Sequence, residues 1–399
     1  MPNFEILNAT GRATSPLLVH IPHSSTSIPE FYRRQLLLTE AGLDRELLAM
    51  TDRYTRELFA EHAVAKGGSA FVNRLSRLVF DPERFEDDAL EQMSQIGMGA
   101  VYMSTSALRS LRGSEFSADD REAILRDLFR PYAEALSLEV SNQLDRFGRC
   151  LIIDAHSFPS KPLRYEGSTL PRPDLCIGYD GFHASEPFIA ALERTGRKFG
   201  WCVGRNTPFS GSYVPLAHYR KDPRVVSVML EINRSRYMDE ATGERASTFE
   251  ATRELAGRMI GTAMLFEAFR NARFHTKIPD GDLCIRVGER SPRLDALLES
   301  RGHQSWAYIT AYNPNGQKAS DSANERAQNE LAQELTSQGL VSYPGEATAD
   351  IGDWPPEPSL LIIGVTEPQA LELAGRYEQA ALVVGDSNQP ARLLACDSR

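Results

Sequence analysis

Residues 17–31 read "LLVHIPHSSTSIPEF", and this stretch joins a buried strand to a polar turn. The apolar character of "LLVHI" is typical of a strand that is covered on both faces of a sheet. His20 and His23 stand at its exit, with Pro22 between them and hydroxyl residues behind. Two interpretations are open at this point: a hydrogen-bonded core histidine beside a capped loop, or half of a metal site.

Four more apolar runs alternate with longer helical patterns. Strands are predicted at residues 69–75, 150–156, 174–179 and 225–232. Helices are predicted at residues 44–67, 117–148, 185–200 and 246–272, from apolar residues three and four positions apart. Pro131 is expected to kink or divide the second of these helices. Such alternation indicates an α/β fold with a mainly parallel, mixed sheet and helices on both faces.

The pattern changes after about residue 272. A strand and turn at residues 305–317, a polar helix at 321–339, a strand at 358–365 and a helix-to-strand segment at 367–386 follow. This predicts a second, smaller α/β domain, so the expected domains are residues 1–275 and 276–399. A chain of 399 residues is also long for a single hydrophobic core.

Composition excludes several classes of protein. A formal net charge of −10 argues against binding to nucleic acid, which needs a basic surface. The five cysteines are widely spaced and odd in number, as expected of reduced thiols in the cytoplasm. No apolar run resembles a signal peptide or a membrane span. We therefore expect a cytoplasmic protein without a membrane or nucleic-acid partner; the oligomeric state stays open.

Candidate functional residues lie at the ends of three predicted strands and on the predicted helix that follows the first of them. Functional groups gather at the carboxyl ends of strands in an open α/β sheet, where they can meet. A catalytic zinc site takes three His, Asp or Glu ligands and leaves one position open. The candidates are His20, His23, Asp52, Asp154, His156 and Glu231.

Each candidate also has a structural interpretation. A histidine at a strand end often makes only structural hydrogen bonds, and Asp52 could be a solvated or N-capping helix residue. Asp154 could anchor a neighbour or orient a ligand histidine. Glu231 is harder to explain in this way, because a charge within "VVSVMLEI" is seldom buried without a partner.

Eight ordered blocks between residues 15 and 265 carry a family resemblance. They are "HIPHSSTSIP", "TDRYTREL", "SRLVFDPERFEDD", "IGMGAVYMSTS", "LIIDAHSFPS", "RPDLCIGYD", "FSGSYVP" and "VMLEINRSRYMDE". In order and spacing they resemble the N-formylglutamate amidohydrolase family. That family is similar, at a distance, to the zinc carboxypeptidases of the phosphorylase/hydrolase-like fold. Residues 300–395 resemble a small bacterial domain of unknown function.

The resemblance implies a zinc ion at the strand ends, with another divalent metal as the alternative. By likeness, His23 corresponds to the first ligand histidine and His156 to the later one. The carboxypeptidase pattern places Glu three residues after its first histidine, where this chain has Thr26. Asp52 is therefore the candidate for the third ligand, with His20 in reserve. Otherwise His20 and Asp154 are expected to support the ligands.

The implied reaction is zinc-dependent hydrolysis of the amide of an N-formyl or related N-acyl acidic amino acid, such as N-formylglutamate. Glu231 is the expected general base. The expected residues for this small-molecule substrate are Arg77, Arg84, Arg234 and Tyr213. Each arginine could instead form a surface ion pair. Two other functions stay open: an amide hydrolase with a different substrate, including a carboxypeptidase-like one, and a non-catalytic binding protein.

Overall fold

The structure, a computed structural model, describes residues 2–9, 11–166, 171–316, 318–349 and 355–396. The chain divides into two compact units, residues 1–185 with 195–260 and residues 186–194 with 261–399. The domain boundary at residue 275 stays a prediction, because compactness alone does not show which part folds independently. None of the helices in these ranges is long and apolar enough to cross a membrane.

The first unit is built on a mixed sheet. Its strands are β1 (Phe4–Leu7), β2 (Leu17–Ile21), β3 (Ser69–Asn73), β4 (Cys150–Phe158), β5 (Leu175–Gly178), β6 (Val203–Arg205) and β7 (Val225–Asn233). The sheet order is β1-β3-β2-β4-β7-β5-β6. Strands β3, β2, β4 and β7 are parallel, as are β5 and β6, whereas β1 and β5 run antiparallel to β3 and β7. The sequence therefore predicted the mainly parallel, mixed sheet.

Helices and apolar strand residues bury this sheet on both faces. In the first unit α3 (Thr55–Ala65) and α5 (Arg130–Phe147) pack against the sheet. The other helices between residues 30 and 270 are α1 (Glu30–Arg33), α2 (Glu40–Met50), α4 (Ala118–Ile124), α6 (Glu186–Lys198) and α7 (Phe249–Arg270), with short 3₁₀ turns at Gln92–Ile96 and Arg234–Arg236. Residues of α6 and α7 fall in both compact units. Every residue of β2, β3, β4, β5 and β7 is buried. One core cluster packs Phe71 and Ile152 of the sheet against Tyr132 and Leu136 of α5.

The predicted helix at residues 44–67 is two helices, and Asp52 lies in the break between them. Helix α2 ends at Met50 and α3 begins at Thr55. Tyr54 adopts a left-handed backbone conformation with φ of 69°, which turns the chain sharply. The backbone N–H of Asp52 donates to the carbonyl of His23 at 3.0 Å. The placement of Asp52 on a helix was wrong, and the break is what brings it beside the exit of β2.

The predicted helix at residues 117–148 is divided near Pro131, as expected. It begins with a capping box between Ser117 and Asp120. A π-helical turn at Leu125–Phe129 then separates α4 from α5, and Pro131 occupies the first turn of α5. A proline lacks the N–H that an α-helix uses for its i to i−4 hydrogen bond, so a widened turn at this position is a stable solution.

The second unit has a sheet whose strands are all antiparallel. Its elements are β8 (Arg273–Ile278), β9 (Gly281–Ile285), α8 (Pro292–Arg301), β10 (Ser305–Ile309), a 3₁₀ turn (Pro314–Gly316), α9 (Asp321–Ser337), β11 (Val341–Thr348), β12 (Glu357–Ile363), α10 (Glu367–Arg376), β13 (Ala381–Asp386) and β14 (Arg392–Ala395). The order is β14-β13-β10-β12-β11-β8-β9. Strand β12 lies between β10 and β11, antiparallel to both. Strand–helix alternation in the sequence therefore does not produce parallel neighbours in this unit.

Candidate metal centre

Three predicted ligands converge at the exits of β2 and β4. The Nδ1 atoms of His23 and His156 lie 3.3 Å apart. The Oδ2 atom of Asp52 lies 3.0 Å from Nδ1 of His156 and 3.6 Å from Nδ1 of His23. Ligand atoms that bind one tetrahedral zinc ion at about 2.0–2.1 Å are separated by roughly 3.3 Å. The triangle formed by these three atoms therefore has the size of one face of such a site.

The far side of each ligand is held by a charged partner. Nε2 of His23 lies 2.9 Å from Oδ1 of Asp81, and Nη2 of Arg234 donates to Oδ1 of Asp52 at 3.0 Å. Nε2 of His156 lies 3.2 Å from the carboxylate oxygens of both Glu83 and Asp154. Carboxylates in this position fix the tautomer and orientation of ligand histidines. The inward nitrogens of His23 and His156 are then lone-pair donors.

The charges of the cluster are arranged to favour a cation. Burial alone raises the pKa of Asp52, but hydrogen bonds with His156 and His23 hold it well below its usual range. Burial lowers the pKa of His156, but the charges of Glu83 and Asp154 outweigh burial and raise it well above its usual value. Two imidazole lone pairs and a carboxylate repel one another at these distances unless a proton or a metal ion lies between them.

Glu231 lies beside the three donors on the next strand. Its backbone is in register with that of His156 in the parallel pair β4–β7. The side chain is buried, and its Oε2 has no hydrogen-bond partner. Burial raises the pKa of Glu231 to about 8, with the charges of Asp52 and Glu83 adding to the effect and those of His156 and Arg234 opposing it. A buried carboxyl with an unused oxygen and a pKa near neutrality is suited to accept and return a proton.

Glu83 is a functional candidate that the sequence did not single out. In the part of the chain that the structure describes, two groups of three side chains could hold a metal, His23–Glu83–His156 and His20–Glu83–Asp154. Oε2 of Glu83 lies 3.8 Å from Nδ1 of His23. Nε2 of His156 lies 3.2 Å from Oε1 of Glu83, so a group built on that nitrogen is an alternative to the Asp52 triangle. The block "SRLVFDPERFEDD" contained this residue, but its many charges do not show which one is buried.

His20, Asp154 and Tyr213 form a supporting layer behind the centre. Nδ1 of His20 lies 3.0 Å from Oδ1 of Asp154, and its Nε2 lies 2.9 Å from the hydroxyl of Tyr132. The backbone N–H of Tyr213 donates to Oδ2 of Asp154 at 3.0 Å. The Tyr213 ring packs 5.0 Å from the His20 ring. These contacts place Tyr213 in the supporting layer, while its predicted role in substrate binding stays a prediction.

The three predicted arginines differ in how many of their guanidinium N–H groups already donate hydrogen bonds within the protein. Arg234 donates to Asp52, Ala49 and Ser157. Arg77 donates to Asp81 at 2.7 Å and to the hydroxyl of Tyr102 at 3.1 Å.

Arg84 is the least committed of the three. It lies 3.6 Å from Asp81 and 3.8 Å from Glu91, and its Nε has no hydrogen-bond partner. Its side chain is 27% exposed, compared with 4% for Arg234. Arg84 therefore retains accessible donors for an external carboxylate, whereas Arg77 and Arg234 are used to hold Asp81 and Asp52.

Comparison with known proteins agrees with this architecture. The chain is 27% identical over 269 residues to an N-formylglutamate deformylase of Pseudomonas aeruginosa, which covers 65% of the chain and 97% of the relative. It is 26% identical over 229 residues to an N-formylglutamate deformylase of Pseudomonas putida, covering 56% of the chain and 82% of the relative. The crystal structure of N-formylglutamate amidohydrolase from Ralstonia eutropha has the same fold, with a TM-score of 0.58 at 24% identity over 66% of the chain and 97% of that structure.

Family models match both parts of the chain. Residues 309–382 match a protein family of unknown function, DUF3293. Residues 15–238, more than half of the chain, match the N-formylglutamate amidohydrolase model. With the sheet and the clustered strand-end residues described above, this match shows that the chain belongs to the N-formylglutamate amidohydrolase family.

Proposed function

We propose that this protein is a zinc-dependent amidohydrolase that removes the formyl group from an N-formyl acidic amino acid, such as N-formylglutamate, and releases formate and the amino acid. Family membership and the two deformylase relatives support the reaction. The main support for a metal ion is that three lone-pair donors, on His23, His156 and Asp52, lie within 3.6 Å of one another.

The donor set suits zinc, although another divalent metal remains the alternative. Two imidazole nitrogens and one carboxylate oxygen are a common zinc set, and they leave a fourth position open for water. Zinc held there would lower the pKa of that water and polarise the amide carbonyl. The resemblance to zinc carboxypeptidases is part of this proposal, because zinc also cleaves amide bonds in those enzymes. The odd number and wide spacing of the five cysteines support a cytoplasmic location.

Glu231 carries the proton in the proposed reaction. Its Oε2 takes a proton from the attacking water as the new C–O bond forms at the formyl carbon. The C–N bond then breaks, and the same proton passes to the leaving amine nitrogen, which returns Glu231 to its starting state. A pKa near the working pH makes both transfers efficient. The pKa of about 8 in the metal-free protein falls when a cation lies nearby, so the group is ionised when it must accept.

Arg84 is the proposed anchor for a substrate carboxylate. Its side chain is 27% exposed, and its contacts with Asp81 and Glu91, at 3.6 and 3.8 Å, are longer than hydrogen bonds, so the guanidinium can bind a substrate carboxylate. Arg77 and Arg234 stay predicted substrate-binding residues, and they also donate to Asp81 and Asp52. We assign no step of the reaction to the second unit.

Formate release from N-formyl-L-glutamate, measured with metal content, tests the proposal. We expect one zinc per chain, loss of activity after chelation and recovery when zinc is restored. Glu231→Gln should bind zinc and lose activity by orders of magnitude, whereas the control Glu86→Gln, whose carboxylate pairs with Arg130 at the surface, should keep it. Zinc without formate release would favour an amide hydrolase with another substrate. A chain without zinc would favour a binding protein.

A further inference from the structure

We propose that Glu83, rather than Asp154, is the carboxylate that holds His156 in position as a metal ligand. This inference rests on the proposed metal and adds a positioning residue to it. Asp154 was the residue that the sequence analysis offered for orienting a ligand histidine. The distances alone do not choose between them, since both carboxylates lie 3.2 Å from Nε2 of His156.

The carboxylates of Asp154 and Glu83 both lie close to the same two imidazole nitrogens, Nδ1 of His20 and Nε2 of His156. Nδ1 of His20 lies 3.0 Å from Oδ1 of Asp154 and 3.4 Å from Oε1 of Glu83. Nδ1 of His20 and Nε2 of His156 can each donate one hydrogen to either Oδ1 of Asp154 or Oε1 of Glu83. Carboxylate oxygens are acceptors only, so each imidazole must direct its N–H toward them to avoid repulsion.

Counting hydrogens assigns one carboxylate to each histidine. His20 is closest to Asp154, so its Nδ1–H donates there, and its Nε2 accepts from the hydroxyl of Tyr132 at 2.9 Å. Asp154 also accepts the backbone N–H of Tyr213 at 3.0 Å. Each oxygen of Asp154 then accepts a hydrogen bond without His156. Nε2 of His156 makes a hydrogen bond with Oε1 of Glu83 at 3.2 Å, so we assign its hydrogen to Glu83.

Burial separates the roles of these carboxylates further. The side chains of Asp52, Asp81 and Asp154 are at most 2% exposed, whereas that of Glu83 is 16% exposed. The Asp154 pair is thus a closed structural contact. The Glu83 pair lies at the accessible edge of the centre, so its loss should change the metal site without removing a core contact.

Zinc affinity measured by competition with a chromophoric chelator tests the assignment. Glu83→Gln should weaken zinc binding roughly 10–100-fold, the usual effect of losing such a partner. Asp154→Asn should change affinity less than threefold in this scheme while lowering the thermal stability of the metal-free protein. The control Glu86→Gln lies three residues along the chain and pairs with Arg130 at the surface, so it should change neither quantity.

Two spectra separate a positioning role from other roles. Nitrogen-15 NMR of the metal-loaded protein should show the proton on Nε2 of His156 in the wild type and in Asp154→Asn, with its signal shifted in Glu83→Gln. Cobalt-loaded Glu83→Gln should keep the visible absorption spectrum of the wild type, because Glu83 is not a ligand in this scheme.

Several results would overturn the inference. The first is a loss of zinc affinity in Asp154→Asn that equals or exceeds the loss in Glu83→Gln. The second is an unchanged zinc affinity in Glu83→Gln. The third is an altered cobalt spectrum of Glu83→Gln, which would indicate that Glu83 is a direct ligand. In each of these cases a wild-type chain that still binds zinc leaves the proposed function standing. A wild-type chain that binds no zinc in the same titration overturns both.

Discussion

Replacing Glu231 by glutamine should stabilise the metal-free protein, and more so as the pH rises. The carboxyl has a pKa of about 8 in the fold and about 4.5 in an unfolded chain. Because the folded state holds its proton more tightly, the stability of the wild type falls as the pH rises from 4.5 toward 8 and is level above that. Glutamine is neutral throughout, so the variant avoids this loss.

The size of the effect follows from the two pKa values. Their difference corresponds to about 5 kcal/mol at high pH, and relaxation of the site reduces the measured cost to roughly 2–4 kcal/mol. For a unit of this size, that is roughly 5–12 °C in the thermal midpoint. At pH 5 the two proteins should differ little.

The assay is thermal unfolding in the presence of a chelator at pH 5, 7 and 8.5. The matched control is Glu91→Gln, a carboxylate equally buried but accepting backbone N–H groups from Phe85 and Met93. This control should lose stability through its hydrogen bonds and show no gain at high pH. A Glu231→Gln variant that is equally or less stable than the wild type at pH 8.5 would show that burial does not destabilise the ionised carboxylate.

Three further predictions concern the ligands and the substrate. Asp52→Asn should weaken zinc binding at least about 100-fold, because it removes a proposed ligand. It should also lower thermal stability, because the buried Arg234 then has no anionic partner. A change of less than threefold in zinc affinity, measured by chelator competition, would contradict this. Zinc affinity should fall as the pH is lowered from 8 to 6, because the raised pKa of His156 lets a proton compete for Nδ1, and a flat pH profile would count against that ligand. Arg84→Gln should raise KM for N-formyl-L-glutamate roughly 10–100-fold with little change in kcat, whereas the exposed control Arg126→Gln should leave both constants unchanged.

The sheet of the first unit was predictable because its strands are marked by local composition. Runs such as "CLIIDAH" and "VVSVMLEI" are apolar throughout, and that is the pattern of strands buried on both faces. Parallel strands also place their carboxyl ends at one edge, which is why His23, His156 and Glu231 could be grouped from sequence alone.

Other features depend on long-range contacts that no local pattern records. The break between α2 and α3 that carries Asp52 lies in a continuous helical pattern, and Tyr54 gives no sequence signal for its left-handed conformation. The burial of Asp81 and the role of Glu83 depend on packing against distant strands. In the second unit, the insertion of β12 between β10 and β11 is set by tertiary pairing, so the antiparallel sheet was not foreseen.

The proposed metal site requires that one ion bridges the exits of two strands and the helix break. Anomalous X-ray diffraction at the zinc absorption edge, on crystals of the metal-loaded protein, tests it most directly. We expect a single strong peak about 2.0–2.2 Å from Nδ1 of His23, Nδ1 of His156 and Oδ2 of Asp52. A peak coordinated by Glu83 and Nε2 of His156, or the absence of a peak among these residues, would contradict it.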